Sequence, residues 1–332
     1  MGITEKPLVT VLTPCYNSEK YVHRLLDSVL NQDYPRIQMI VMDDGSTDSS
    51  AEIIKSYIPK FKAKGYTLEY YFQSNQGQSV AINNGLKKVR GSYLLWPDSD
   101  DYYADKDTIG LLLDTLQGLP NDYAMARTWI NYIDENSLSK TGVGGPGLDE
   151  AEFENCLFAR NFYFQPGCVI VNFKKLCEVT SLNIYTDKNA GQNWQLYLPV
   201  LSKYKCKTIP KAKFNVLCRA DSHSRGQYKT LKELNSRVDS YENTLLYTLD
   251  RIQNLEESQR ESYKRALRQK YAFERFYNAL TANDREETIK TRNAIKKLDL
   301  KIGKKDTLKY CLVRSHLLGV KRKLFTLMKV RK

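Results

Sequence analysis

Four times in the first hundred residues, a short apolar run gives way to a polar turn and then to apolar residues at helical spacing. Leu8 to Thr13 reads as a buried strand ending at Pro14-Cys15-Tyr16-Asn17, after which Tyr21, Val22, Leu25, Leu26, Val29 and Leu30 share one helical face. Asn17 or Ser18 is the expected cap of that helix, and Asp33-Tyr34-Pro35 stops it. A second strand, Ile37 to Met42, closes on Asp43-Asp44-Gly45-Ser46-Thr47-Asp48-Ser49, before a helix from about Ser49 to Lys62. A third, Leu68 to Phe72, leads into Gln73-Ser74-Asn75-Gln76-Gly77 and a helix through Val80, Ala81, Leu86 and Val89. The fourth, Ser92 to Leu95, is closed by Trp96-Pro97-Asp98-Ser99-Asp100-Asp101.

Strand-then-helix units in series call for an α/β fold with a parallel sheet and right-handed crossovers. In such a sheet ligands bind beyond the carboxyl ends of the strands, so the polar segments at 13–17, 43–48, 73–77 and 98–101 converge on one edge. No G-x-G-x-x-G lies in the four strand-then-helix units (the one match, Gly142 to Gly147, falls outside them) and G-x-x-x-x-G-K-[ST] does not occur, which disfavours dinucleotide and P-loop chemistry. Further on, the pattern predicts a helix at Thr108 to Leu116, a strand at Tyr123 to Ile133 and a Gly-rich loop at Gly142 to Gly147. It then predicts a helix at Glu150 to Ala159, a strand at Cys168 to Asn172, a helix at Asn193 to Leu201 and a strand at Cys206 to Cys218. Arg219 to Gly226 is a polar loop, and from Lys229 the chain is helical and rich in Glu, Lys and Arg. A boundary near Gly226 divides residues 1–226 from a basic helical region, 227–332.

Composition narrows the class. The 332 residues are 42% hydrophobic and 27% charged, as in a globular protein. No stretch approaches the roughly twenty apolar residues of a membrane span. The N-terminus lacks an apolar signal core, and the seven cysteines are scattered without a C-x-x-C pair. Both point to reduced thiols in the cytoplasm and away from a zinc site or a disulfide framework. The net charge of +13 is concentrated at the end, where Lys301 to Lys332 holds eleven Lys or Arg and one acid. There Val313, Leu317, Val320, Leu324 and Leu327 form a helical stripe in a cationic surround, the pattern of a helix lying on an anionic membrane. Packing of that stripe on the protein is the alternative. Without interleaved stacking aromatics, no nucleic acid partner is expected.

Three carboxylates within four residues at a strand end repel one another unless a cation or hydrogen-bond donors offset them. Such a cluster either holds a hard divalent cation such as Mg²⁺ or Mn²⁺, or is an Asp-rich turn capping the next helix.

The residues say more than the periodicities. Val9 to Asn17, Ile40 to Asp48, Asn75 to Gly85 and Asp98-Ser99-Asp100-Asp101 resemble, in order and spacing, the motifs of glycosyltransferase family 2. These are inverting nucleotide-sugar enzymes of the GT-A fold, a Rossmann-like, mostly parallel sheet flanked by helices. The resemblance implies such a domain with a helical C-terminal extension. It also implies transfer from a nucleotide sugar, a UDP-sugar by preference, to a glycan or lipid-linked saccharide in cell-surface polysaccharide synthesis. By the same resemblance Asp98-Ser99-Asp100 is the D-x-D motif, with Asp98 and Asp100 toward Mn²⁺ or Mg²⁺ and Asp98 also beside the donor. Asp44 accepts from the base, Thr13 and Tyr16 lie against it, and Asn75 and Gly77 shape the loop near ribose and phosphate. His223, with Arg219 and Arg225, is a candidate for the metal or the diphosphate.

The expected catalytic base is missing. Family members often carry E-D-x-x-W where this chain reads Gln192-Asn193-Trp194-Gln195, and an amide cannot act as a base at neutral pH. Asp187 serves instead, or the substrate or a phosphate oxygen takes the proton, or the chain binds a sugar nucleotide without efficient transfer. A form of the family that works with Gln192-Asn193 is the favoured reading, with Asn193 counted beside Asp187 as catalytic and Trp194 either lining the acceptor site or standing in the core under the sheet. A nucleotidyltransferase is the competing enzyme class, disfavoured by Pro14-Cys15-Tyr16 where a Gly- and Arg-rich signature would stand.

Overall fold

The computed structural model describes residues 5–145, 152–160, 162, 165–187, 190–219 and 230–315. They group into two compact units, one drawn from Met1–Arg225 and Tyr247–Leu255, the other from Gly226–Leu246 and Glu256–Lys332. Tyr247–Leu255 thus packs with the first unit, although in sequence it follows the Gly226 boundary.

The first unit begins with β1 (Val9–Cys15), α1 (Val22–Leu30), β2 (Ile37–Asp43), α2 (Ser50–Ala63), β3 (Thr67–Phe72), α3 (Gln78–Leu86) and β4 (Tyr93–Leu95). β5 (Tyr102–Tyr103), α4 (Thr108–Gln117), β6 (Tyr123–Asp134), β7 (Lys140–Gly144), α5 (Glu152–Phe158), β8 (Val169–Asn172), α6 (Phe173–Val179), α7 (Gln192–Leu201) and β9 (Lys205–Cys218) follow. The sheet runs β3-β2-β1-β4-β8-β6-β9-β5, with β7 on β6.

β1 and β2 bury every residue, which is why they read as continuous apolar runs. α1 answers them with Val22, Leu25, Leu26 and Val29 on its buried face. β3, paired only with β2 along the path, is an outer strand and is mostly half-exposed. β3, β2, β1 and β4 are parallel; β8 is antiparallel to both β4 and β6, and β9 is parallel to β6. The two reversals at β8 cancel. β6 and β9 therefore end on the same edge as the first four strands.

Four local expectations are revised. Neither Asn17 nor Ser18 caps α1, whose cap position is Tyr21; Asn17 is left-handed (φ 46°), and its side chain accepts from the Thr47 N–H at 2.9 Å. α3 ends at Leu86, short of Val89. Lys140–Gly144 is a strand and not a Gly-rich loop, because pairing with β6 overrides the poor strand propensity of glycine; residues 146–147 lie outside the described residues. α6 was not expected, yet its N-cap signal is present: the Asn172 side chain accepts from the Lys175 N–H at 3.1 Å.

The second unit is helical. α8 (Leu231–Arg251) has its residues up to Leu246 there, followed by α9 (Glu257–Ala282), α10 (Arg285–Lys297) and α11 (Lys304–Arg314). Its core holds Ala272, Phe276, Leu280, Ile295 and Val313. Val313, the first residue of the C-terminal apolar stripe, is thus buried, while Leu317, Val320, Leu324 and Leu327 lie outside the described residues. Among the described residues no helix is long and apolar enough to cross a membrane.

Candidate active site

The first two loops of the carboxyl edge are stitched together by hydrogen bonds. The Asn17 N–H donates to Ser46 Oγ at 3.0 Å, the Ser18 N–H to Ser50 Oγ at 2.8 Å and the Glu19 N–H to Asp48 at 3.0 Å. Ser49 returns a bond to the Glu19 carboxylate at 3.0 Å. Ser18 Oγ lies 2.7 Å from Ser99 Oγ, tying the first loop to the acidic one. Asp43, fully buried, is consumed by structure: it accepts from the Ser46 N–H at 2.8 Å and the Tyr70 hydroxyl at 2.7 Å.

Asp44 has a different environment. It is buried, and its carboxylate gathers the third loop by accepting from Gln73 Nε2 at 2.8 Å, the Gln76 N–H at 2.9 Å and the Gly77 N–H at 2.8 Å. A carboxylate offers about four acceptor positions, so these three leave it one. Two glycines permit the geometry. Gly77 stands at φ +94° just before α3, and Gly45 at φ +83° passes so near Asn75 that a Cβ would lie 2.7 Å from its backbone nitrogen. Tyr16 stands half-exposed beside this edge, whereas Thr13 is fully buried in β1 with no partner for its hydroxyl.

The acidic loop follows β4. Gln78 Nε2 donates to Asp98 Oδ1 at 2.7 Å, and the Leu217 N–H donates to the buried Asp101 at 2.9 Å. The Arg219 guanidinium forms an ion pair with Asp100 at 3.1 Å and stands 4.9 Å from the centre of the Tyr21 ring. Burial, then the charge of Asp100, pushes Asp98 up to about 7 against the opposing Gln78 hydrogen bond and Arg219. Burial with the charges of Asp100 and Asp98 likewise pushes Asp101 well above the usual carboxylate range. Two neighbouring carboxylates at a strand end, one of them raised by burial and by the charge of the other, are oxygen ligands of the kind a hard divalent cation takes. The described residues contain no cluster of three or more His, Cys, Asp or Glu side chains able to hold a metal by themselves. Asp98 and Asp100 alone would supply only part of the oxygen shell of such a cation.

At α7 the expected residues separate. Asn193 is half-buried, and its side-chain carbonyl accepts from the indole N–H of Trp96, two residues before Asp98, at 2.9 Å. Trp194 is instead a core residue, 9% exposed, its Nε1 donating to the Cys156 carbonyl at 2.9 Å. Asp187 is exposed in the segment before α7, where its backbone carbonyl accepts from the Ala190 N–H at 3.0 Å. His223 and Arg225 lie outside the described residues. Gln73, Gln76, Gln78 and Ser99 take part in the edge without having been singled out in the sequence. Polar loop residues of these types carry no spacing signal.

The family model of Glycosyl transferase family 2 matches residues 10–179, just over half of the chain. The chain is 38% identical over 197 residues to the poly(ribitol-phosphate) beta-N-acetylglucosaminyltransferase TarS of Staphylococcus aureus, covering 57% of this chain and 29% of that protein. It is 31% identical over 155 residues to the glycosyltransferase GlyA of Streptococcus pneumoniae, covering 47% and 21%. Over 96 residues it is 40% identical to a putative teichuronic acid biosynthesis glycosyltransferase, TuaG, of Bacillus subtilis, covering 29% and 37%. The matched stretch thus spans between about a fifth and two fifths of these relatives. In fold, the chain is similar to residues 1–349 of S. aureus TarS in complex with UDP-GlcNAc, with TM-score 0.57, 16% identity and 93% and 90% of the two chains covered. It is also similar to a mannosyltransferase of Pyrobaculum calidifontis in complex with GDP-Man and Mn²⁺, with TM-score 0.53, 14% identity and 96% and 87% covered. At such identities these structures speak for the GT-A fold alone. With the family motifs in order along one sheet edge, the chain belongs to Glycosyl transferase family 2.

Proposed function

We infer that this chain transfers a sugar from a nucleotide sugar, a UDP-sugar by preference, to a saccharide acceptor with inversion. The observation that carries the reading is the shared edge: Asp44 organises one loop, and Asp98 and Asp100 stand at the end of β4 in another. TarS, named for a sugar transfer to a polymer and crystallised with UDP-GlcNAc, supports the donor class. TarS and TuaG together support a setting in cell-surface polysaccharide assembly, with a lipid-linked or polymeric acceptor.

In this reading Asp44 uses its remaining acceptor position for a base N–H, and Tyr16 offers its exposed ring to the base. Asp98 and Asp100 would hold Mn²⁺ or Mg²⁺, which when bound offsets charge on the leaving diphosphate. Arg219, already beside Asp100, supplies a second positive charge there. The acceptor hydroxyl attacks the anomeric carbon as the bond to the diphosphate oxygen breaks, and its proton must pass to a base. Asp187 is the carboxylate we assign to that step. The residues up to 226 form the catalytic domain, and the basic C-terminal segment docks it on the cytoplasmic face of an anionic membrane.

Asn193 motivates a second reading, in which the chain holds a sugar nucleotide without turnover. Its side-chain carbonyl is engaged by Trp96 and the amide is no base. Calorimetric titration of UDP with and without Mn²⁺, together with UDP-sugar hydrolysis by wild type, Asp100→Asn and Asp187→Asn, separates the two. Transfer predicts metal-dependent UDP binding lost in Asp100→Asn, and hydrolysis lost in Asp187→Asn with binding intact. Binding without hydrolysis in the wild type favours the second reading. UDP binding indifferent to both metal and Asp100 removes the basis of both.

A further inference from the structure

A cleft of about 320 Å³ lies between α3 and the outer strand β3, at the lower end of the range of about 300–1,000 Å³ typical of small-ligand sites. Its wall is Tyr71 and Phe72 on the strand side and Asn84, Lys87 and Lys88 on the helix side, with Met42 and Gln73 between them. None of these residues except Gln73 serves the acidic edge or Asp44.

The charges in the lining are one-sided. Lys88 Nζ stands 3.9 Å from the centre of the Tyr71 ring, and Lys87 Nζ donates to Asn84 Oδ1 at 3.3 Å. Among the described residues neither lysine has a carboxylate partner, and the lining contains no acid. The neighbouring carboxylate, Glu69, is taken up by Arg90 at 2.5 Å, the Gln38 side-chain amide at 2.9 Å and the Tyr71 hydroxyl at 2.8 Å. Lysines just past a helix C-terminus also complement its dipole, which accounts for the two charges. It does not account for Phe72, which is 63% exposed at the end of the outer strand and lines the same cleft. Gln73 and Asn84 complete a polar wall, the Asn84 amide donating to Gln73 Oε1 at 2.9 Å.

An exposed aromatic face, side-chain amides and ammonium groups without a carboxylate partner are what a sugar carrying an oxyanion requires. The ring's C–H face packs on the aromatic side chain, its hydroxyls meet the amides, and the ammonium groups take the anion. We propose that the cleft between α3 and β3 binds an anionic saccharide unit at a site separate from the acidic edge. The unit is either free, as a sugar phosphate, or part of a charged glycan chain. The chemistry of recognition is the same for both sources.

The test is calorimetric titration of the full chain with glucose 1-phosphate and, separately, with a polyglucuronate oligomer, each with and without saturating UDP. Binding is expected to persist in UDP and to exceed that of neutral glucose. It should weaken by about tenfold or more in Lys87→Gln/Lys88→Gln and severalfold in Phe72→Ser, since two charges and the stacking face are lost. A free sugar phosphate as natural ligand gives equal affinity per unit for both probes, whereas a chain gives tighter binding of the oligomer. Thermal melts equal to wild type show that the variants are folded. Displacement by UDP, indifference to both variants, or no binding of either probe overturns the proposal. Should UDP itself not bind, the nucleotide reading fails while the cleft titration still reports.

Discussion

The side-chain carbonyl of Asn193 accepts the indole N–H of Trp96 at 2.9 Å, so this amide, at the start of α7, anchors the strand end before the acidic loop. Trp96 is 1% exposed, and its donor has nowhere else to turn. Asn193→Ala leaves that N–H unpaired at a cost of about 1–3 kcal/mol. For a unit of this size, each kcal/mol lowers Tm by roughly 2–4 °C. Asn193→Asp keeps an acceptor in place and is expected to melt near wild type in the same scan. Equal loss in both variants means that the Trp96 bond contributes little.

A backbone constraint governs the loop that Asp44 gathers. Gly45 at φ +83° has no room for a Cβ, which would sit 2.7 Å from the Asn75 nitrogen and 3.1 Å from its Cβ. The obstacle is main chain and cannot rotate away. Gly45→Ala therefore combines an unfavourable φ with a clash, and the expected loss is about 1–3 kcal/mol or more. Gly65 has nearly the same φ (+82°) and open space around it. Gly65→Ala is the control that isolates φ strain, and chemical denaturation of both variants gives the clash as the difference.

The parallel half of the fold was legible because each of its strands is buried and each crossover helix has a periodic face. Beyond Leu95 the order of strands was not, since the pairing of β8 between β4 and β6 depends on contacts between distant parts of the chain. Asp44, Asp98 and Asp100 stood out as carboxylates closing apolar runs. The division between the two tryptophans did not. Trp194, open to either the acceptor side or the core, bonds to Cys156, and Trp96, which drew no separate attention, holds Asn193. Adjacent residues on a helix point to different neighbours, and one-dimensional spacing does not say which neighbour is the site.

Arg219 and Asp100 offer a test that does not need turnover. Their ion pair spans 3.1 Å, and each side chain is about one-fifth exposed. In the proposed site Arg219 opposes a bare cation at Asp100 but favours an anionic diphosphate. Arg219→Gln should therefore tighten Mn²⁺ binding in the absence of nucleotide while weakening UDP in its presence. Each change should be about fivefold to tenfold, as a partly screened charge a few ångströms away implies. Paired titrations of the metal and of UDP read both signs. If both affinities move the same way, Arg219 acts on the shape of the site and not through its charge.

Arg127 ties β6 to β9 and to α5. It is 3% exposed on β6, where its Nε donates to Thr208 Oγ1 on β9 at 3.0 Å and its terminal nitrogen donates to Glu152 at 2.8 Å. The guanidinium also stands 5.2 Å from the centre of the Phe162 ring. Breaking a buried pair leaves the other charge without compensation, so Arg127→Ala is expected to cost about 3–5 kcal/mol. Arg127→Met/Glu152→Gln removes both charges while keeping most of the volume, and should recover the greater part of that loss. Urea denaturation of the two variants and of Glu152→Gln alone decides the matter. A double variant no more stable than Arg127→Ala assigns the cost to the packing of Arg127 against Phe162 and Thr208, and not to the charge left on Glu152.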